Sequence, residues 1–494
     1  MKNRILSAEQ IRKTDEFTIT NEPIASIDLM ERAALQFVHA IVPFVHGKPA
    51  IHVFCGSGNN GGDGLAIARM LIGKGCKVFI YCVKLGNSTS PDCQTNMERA
   101  GQYKKITAAD DLPVIQPDHI IVDALLGTGV SRPVSGLIQQ VISHLNASGA
   151  KILSVDIPSG LPADGIPEND EIIRAHFTGT FERPKLSFFL KESAIYTGQW
   201  QVLPIGLSQE FLSQQESAFH YLTEDFFANI LRPRVRFSHK GTYGHGLLIA
   251  GSKGKMGSAV LAAKAALRSG IGLLTVDIPE CGYTILQTAV PEAMCKTDYT
   301  DSHITKVDLD IEQFTAIGIG PGMGVQQGTK TVLEQLFATE DTPLVIDADA
   351  LNVLAENKEL LSAVPPHTIL TPHPKEFERL AGKSSDSFER LKLQIDFSVE
   401  NNCIVVLKDA ITSVSFPDGN VYFNTTGNPG MATGGTGDVL TGIITGLLSQ
   451  GYAPRSAALI AVYFHGKAGD LAAKQLGQSQ LIAGDLMNYF RLEI

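Results

Sequence analysis

The chain has 494 residues, 44% hydrophobic and 19% charged, with a net charge of -10, which is core material for roughly two to four globular domains. The acidic balance, with no run of lysine and arginine carrying interleaved aromatics, excludes nucleic-acid binding as the main activity. Seven cysteines without a CxxC pair point to reduced, mostly buried thiols. With no apolar leader and no stretch of membrane-spanning length, a cytoplasmic protein with no membrane partner is expected.

In chain order, residues 7 to 40 read as helix, with Ile11, Leu29, Met30, Ala33, Ala34 and Phe37 facing inward. Ala50 to Phe54 read as a buried strand that runs into a glycine loop, Cys55 to Gly64, and then into an apolar helix through Leu71. Gly56, Gly58 and Gly61 satisfy GxGxxG. The next strand, Val78 to Val83, is followed by Lys84 and lacks the acid that would hold a ribose, so an ordinary dinucleotide fingerprint is a weak match. Two further strands end in Asp123 and Asp156, each followed by a loop. Ligands of open parallel sheets bind beyond the carboxyl ends of strands, so these loops are expected to converge on residues 56 to 64. Oxygen ligands without histidine or cysteine suit a hard cation; capping of the following turns is the alternative role for both aspartates.

A polar stretch between Pro204 and Lys240 reads as a connection, with a boundary near 210 to 225. Beyond it the α/β pattern resumes. Gly251 to Ser258 lacks the Gly-Lys-Ser/Thr ending of a P-loop. Later strands run into loops bearing Gly322, Asp347, Asp349, His373 and Lys408, where His373 has a structural role as its alternative. Near the end, Gly434, Gly435 and Gly437 precede a run with apolar residues at helical spacing, Val439 to Leu448. Such a helix N-terminus is a phosphate site. Asp438 beside it suits a base taking a proton from a substrate hydroxyl, with a plain N-cap as the alternative.

The segments Asn59 to Gly64, Val122 to Gly129 and Asp156 to Gly160 together resemble the NAD(P)H-hydrate epimerase domain, over residues 1 to 210. The resemblance implies that Asn59, Asn60, Gly61, Gly62 and Asp63 hold the damaged cofactor. It adds Gly127, Thr128, Gly129, Val130, Ser131, Arg132 and Pro133 from the second loop, and Asp156. It further implies K+ at Asn60, Asp123 and Ser159, with Asp156 as the acid–base group at C6 and Lys185 as its catalytic neighbour. Family members usually have glycine after that lysine; here Leu186 and Ser187 follow.

Residues 225 to 494 resemble the ribokinase-like NAD(P)H-hydrate dehydratase. This implies hydrate contacts from Ala259, Gly322, His373 and the catalytic Asp438. Adenine-nucleotide contacts are implied for Lys408, Asp409, Ala410, Ile411 and Thr412, and for Gly434, Gly435, Thr436 and Gly437. Mg2+ is expected with the ADP. Asp409 stands where members commonly have glycine, so its carboxylate either alters the nucleotide contact or points to solvent.

The expected architecture is α/β in two domains: an N-terminal Rossmann-like three-layer sandwich over 1–215, a linker over 216–225, and a C-terminal ribokinase-like α/β domain over 226–494. The expected function is repair of hydrated NADH and NADPH. The first domain epimerises the R and S hydrates at C6; the second dehydrates the S hydrate with ADP, or ATP, yielding AMP and phosphate in the ADP case. A homo-oligomer is expected. The alternative is a ribokinase-like small-molecule kinase fused to a non-catalytic nucleotide-binding module.

Overall fold

The short apolar runs with loops at their carboxyl ends form strands in a computed structural model that describes residues 3 to 493 except 23, 48, 85–87, 131 and 339–341. The chain divides into two units, Met1–Ser217 and Ala218–Ile494.

The first unit is built on seven strands: β1 (Ile51–Cys55), β2 (Val78–Val83), β3 (Lys104–Ile106), β4 (Ile120–Ala124), β5 (Lys151–Val155), β6 (Phe177–Phe181) and β7 (Gln199–Leu203). Their order is β3-β2-β1-β4-β5-β6-β7, parallel throughout. β1 and β4 are buried along their whole length, as a parallel sheet covered on both faces requires. The chain runs outward in one direction from β1 to β3 and in the other from β4, so the crevice between the ends of β1 and β4 is the topological switch point.

The single helix expected over 7 to 40 is two, Ala8–Asn21 and Ser26–Ala40. The first opens with a Ser7–Gln10 capping box and ends at Asn21, where the Glu22 N–H bonds the Thr18 carbonyl. The glycine segment after β1 is also more helical than expected. The helix spans Asn59–Gly73 with the extended Gly58 at its N-cap. A Cβ on Gly61 would lie 2.0 Å from the Gly56 carbonyl oxygen, so glycine there lets the first turn close onto the end of β1.

The second unit carries ten strands: β8 (Phe219–Tyr221), β9 (His245–Ile249), β10 (Leu273–Ile278), β11 (Met294–Thr297), β12 (Ala316–Ile319), β13 (Leu344–Ile346), β14 (Ile369–Leu370), β15 (Ile404–Leu407), β16 (Ser413–Ser415) and β17 (Val421–Phe423). The order is β11-β10-β9-β12-β13-β14-β15-β16-β17-β8. Pairing is parallel from β11 to β15, antiparallel through β16 and β17, and parallel again between β17 and β8. The polar stretch 216–225 thus holds an edge strand.

The core of this unit gathers around the helix Thr436–Ser449, which is buried continuously from Val439 to Ser449. It lies against the helix Met256–Arg268. A Cβ on Gly442 would meet the Ala262 carbonyl oxygen at 2.1 Å, so the two helices pack backbone to backbone at that point. This packing fixes where the glycine-led N-terminus sits. All seven cysteines are free, with Cys55, Cys82, Cys93 and Cys403 buried. Among the described residues no helix is long and apolar enough to cross a membrane.

Two candidate active sites

In the first unit a cavity of about 1120 Å³ opens at the switch point. Asn59, Asn60 and Asp63 line it from the first turn of the helix after β1. Gly127, Thr128, Gly129, Val130, Arg132 and Pro133 line it from the loop after β4, and Asp156 from the turn after β5. Gly61 and Gly62 are buried in the helix turn. Ser131 lies outside the described residues.

Asp156 has φ of 64°, a left-handed conformation that aspartate tolerates better than most residues and that recurs at functional sites. Its Oδ1 accepts hydrogen bonds from Lys185 Nζ at 2.6 Å and from the Phe181 backbone N–H at 2.8 Å. The Lys185 side chain is 2% exposed and that of Asp156 16%. The ammonium is thus sealed beneath the carboxylate, held also by the Arg183 carbonyl at 3.2 Å. Leu186 and Ser187, in place of the usual glycine, begin a buried 3-10 turn and leave this contact intact.

Below the cavity, Asp123 sits within β4, opposite Ser154 of β5. Its carboxylate accepts from Ser154 Oγ (2.8 Å), Ser159 N–H (2.9 Å) and Ser159 Oγ (2.5 Å). Burial raises its proton affinity while these hydrogen bonds oppose the shift. Asn60 Nδ2 donates to the Leu126 carbonyl at 2.8 Å, and Asn60 Oδ1 is buried with no hydrogen-bond partner among the described residues. Ser159 Oγ also bonds the Leu126 carbonyl, so Asn60, Ser159 and Asp123 are linked through Leu126. An orphaned amide oxygen, a carboxylate and a hydroxyl are oxygen donors of the kind that suits a hard cation.

The site also has a member that the sequence pattern does not single out. Asp15, on the helix Ala8–Asn21, lines the same cavity, four residues beyond Ile11.

In the second unit a cavity of about 860 Å³ is lined by His373, Lys408, Asp409, Ala410, Thr412, the loop Gly434 to Gly437, and Asp438. Ala259, Gly322 and Ile411 do not line it. Ala259 is fully buried, and Gly322 packs on Lys255 and Ser258.

The helix begins at Thr436, capped by the left-handed Gly435 with φ of 95°. Asp438 therefore belongs to its first turn and is not the N-cap. Its side chain bonds Ser258 instead; burial pushes its carboxyl up to about 6, against the lowering effect of that bond. Lys408 Nζ bonds Asp347 Oδ1 at 2.8 Å, and Asp347 Oδ2 accepts from Thr441 Oγ1 at 2.7 Å. A Cβ on Gly437 would approach Lys408 Nζ to 3.1 Å, which places that ammonium beside the helix N-terminus.

His373 caps the helix Pro374–Ala381. Its Nδ1 accepts from the Lys375 and Glu376 N–H groups at 3.1 and 3.3 Å, so its proton is on Nε2, 3.3 Å from Glu376 Oε1. The structural role and the cavity position coincide. Asp409 does not point freely to solvent: Arg390 pairs with it at 2.7 Å and the Ala410 N–H bonds it at 2.8 Å. Asp347 and His465 are cavity residues to which the sequence assigns no role. Burial lowers the His465 imidazole to about 4.

A family model described as NAD(P)H-hydrate dehydratase matches residues 246–490, and one described as YjeF-related protein N-terminus matches 26–187. The chain is 36% identical to the "Bifunctional NAD(P)H-hydrate repair enzyme Nnr" of Moorella thermoacetica over 506 residues, covering 98% of this chain and 95% of the relative. It is 34% identical to the protein of the same name from Coxiella burnetii over 492 residues, covering 98% of each. Among solved structures, an ADP/ATP-dependent NAD(P)H-hydrate dehydratase from Bacillus subtilis co-crystallised with ATP/Mg2+ is 32% identical, with a TM-score of 0.47, covering 54% of this chain and 95% of that one.

Proposed function

The chain belongs to the family of bifunctional NAD(P)H-hydrate repair enzymes, and from that premise we propose that its two cavities divide the repair between them. In the first unit Asp156 transfers the proton at C6 of the hydrate, and Lys185 fixes the carboxylate and balances its charge. In the second, Asp438 takes the proton of the C6 hydroxyl while the phosphoryl group of ADP is transferred to that oxygen. The N–H groups of Gly434 to Gly437 stabilise the charge on the moving phosphoryl group. Phosphate then leaves, pushed by the ring nitrogen, restoring NADH or NADPH with AMP as the other product. Mg2+ bound with the nucleotide would neutralise phosphate charge. The observation that carries this reading is Asp438 in the first turn of a glycine-led helix, bonded to Ser258 and free of a capping role.

Mass spectrometry of the full chain with hydrated NADH and ADP tests it. Restored NADH with AMP is expected; an accumulating phosphorylated hydrate would instead make the second unit a kinase. Each unit has its own sheet and core, so residues 1–217 and 218–494 expressed apart should each unfold cooperatively and retain one activity.

In the first unit K+ would be held by Asn60, Asp123 and Ser159, offsetting the acidity of the cavity and pinning the segments after β1 and β4 together. Asp123→Ala removes the only formal charge of the three. It should abolish the dependence of epimerisation on K+ and weaken hydrate binding, measured by rates across a K+ titration; an unchanged K+ response would remove the cation from this cluster.

A further inference from the structure

Asp15 has one carboxylate oxygen, Oδ1, that is buried and has no hydrogen-bond partner among the described residues. A buried acceptor left unsatisfied is costly, and a native structure that keeps one at a cavity wall holds it for a ligand or a proton. Five carboxylates line this cavity, those of Glu9, Asp15, Asp63, Asp156 and Glu182; Glu182 is engaged by the Ile205 N–H and by Gln209, while Asp15 reaches the cavity from the first helix and Asp156 from the turn after β5.

Epimerisation at C6 explains why two are needed. Oxygen must leave one face of that carbon and arrive on the other, and a carboxylate fixed on one face handles the proton of only one of these events. We propose that Asp15 is the second proton-transfer group of the epimerase site, paired with Asp156, an inference that rests on the epimerase reading of this cavity.

In one direction the Asp15 carboxyl gives its proton to the C6 hydroxyl. The C6–O bond breaks with its electron pair, water leaves, and the ring-nitrogen lone pair forms the C6–N double bond. Water then adds to the opposite face and loses its proton to the Asp156 carboxylate, while the double-bond pair returns to nitrogen. The reverse direction exchanges the two roles. The pair therefore works with one proton between them, and the proton returns through solvent after each turnover.

The surroundings suit that duty. Burial, then the Asp156 carboxylate, raise the Asp15 carboxyl to about 7; Lys185 opposes the shift, and Glu182 and Glu16 add to it. Asp63, which also faces this group, is raised well above the usual range by burial and by Asp156 and Asp15. Arg12 and Glu9 complete the charged lining on the Asp15 helix.

The test uses the full chain. Asp15→Asn should slow epimerisation by on the order of 10²- to 10⁴-fold, leave dehydration of the S hydrate unchanged, and remove the fall in epimerisation rate that the parent shows as pH rises through 7. Because the native carboxylate is unsatisfied, the variant should also melt higher than the parent, by about 2 °C or more; a merely structural aspartate would do the opposite. Asp15→Ser gives the same comparison if the asparagine chain does not fold. Epimerisation within threefold of the parent, or a slowed variant that keeps the high-pH fall, overturns the assignment of Asp15. A parent chain that dehydrates the S hydrate but never epimerises overturns the epimerase reading itself.

Discussion

Replacing Asp438 by asparagine should slow hydrate dehydration by on the order of 10²- to 10⁴-fold, equivalent to about 3 to 5 kcal/mol of transition-state stabilisation, with nucleotide binding and epimerisation retained. On the proposed reading the phosphate is bound by backbone N–H groups that the substitution does not touch, and the epimerase carboxylates belong to the other unit. The pH dependence follows from the raised carboxyl, about 6 against an ordinary 3.8. Only the deprotonated form can accept a proton, so dehydration by the parent should rise with pH through 6 and then level, and the variant should lack that rise. Stability moves the other way: the folded state binds the proton more tightly than the unfolded chain, so the cost of the charged group is absent below 3.8 and complete above about 6. Asp438→Asn should accordingly gain stability over the parent at pH 7 and little at pH 4. Calorimetry of nucleotide binding and parallel assays of both activities check this; near-normal dehydration would end the assignment of Asp438 as base.

Lys185→Met should damage both the stability and the activity of the first unit. It keeps the apolar stem but leaves Asp156 without the ammonium 2.6 Å from its Oδ1. Removing one member of a buried ion pair costs about 3 to 5 kcal/mol, toward the lower figure here because the Asp156 side chain is partly exposed. Epimerisation should fall by about 10²- to 10³-fold, the usual effect of deleting a preorganised electrostatic partner, while S-hydrate dehydration continues. Epimer ratios followed by chromatography, together with a melting curve, check both effects. A variant that melts lower yet epimerises at the parent rate would make the pair structural only.

The strand ends were legible because a parallel sheet buried on both faces writes its strands as short apolar runs, and its ligand loops follow at their carboxyl ends. Asp123 and Asp156 could be picked out on that logic, and Asp438 from the clustered glycines that lead an apolar helix. Helix starts were harder. Glycine has poor helix propensity, so Asn59 to Gly64 read as loop; the close approach of Gly61 to Gly56 makes helix the outcome, a tertiary effect that local composition does not carry. Asp15 was out of reach for another reason. It stands alone on a helix, far along the chain from Asp156, and only the packing of that helix over the sheet brings it to the cavity. His465 is of the same kind, a polar residue whose partner, the turn at Thr436, is set by folding; Asp347 was legible at its strand end, but its bonds to Lys408 and Thr441 were not.

The pairing of β8 with β17 bears on how the second unit is made and cut. β8 is the first strand of its unit to leave the ribosome, yet its place in the sheet exists only after Val421–Phe423 have been synthesised some two hundred residues later. Until then the strand waits unpaired. A fragment started at residue 226, where composition alone would place the domain, never receives that strand. It would carry an open edge at β17 permanently, an invitation to strand addition by another copy.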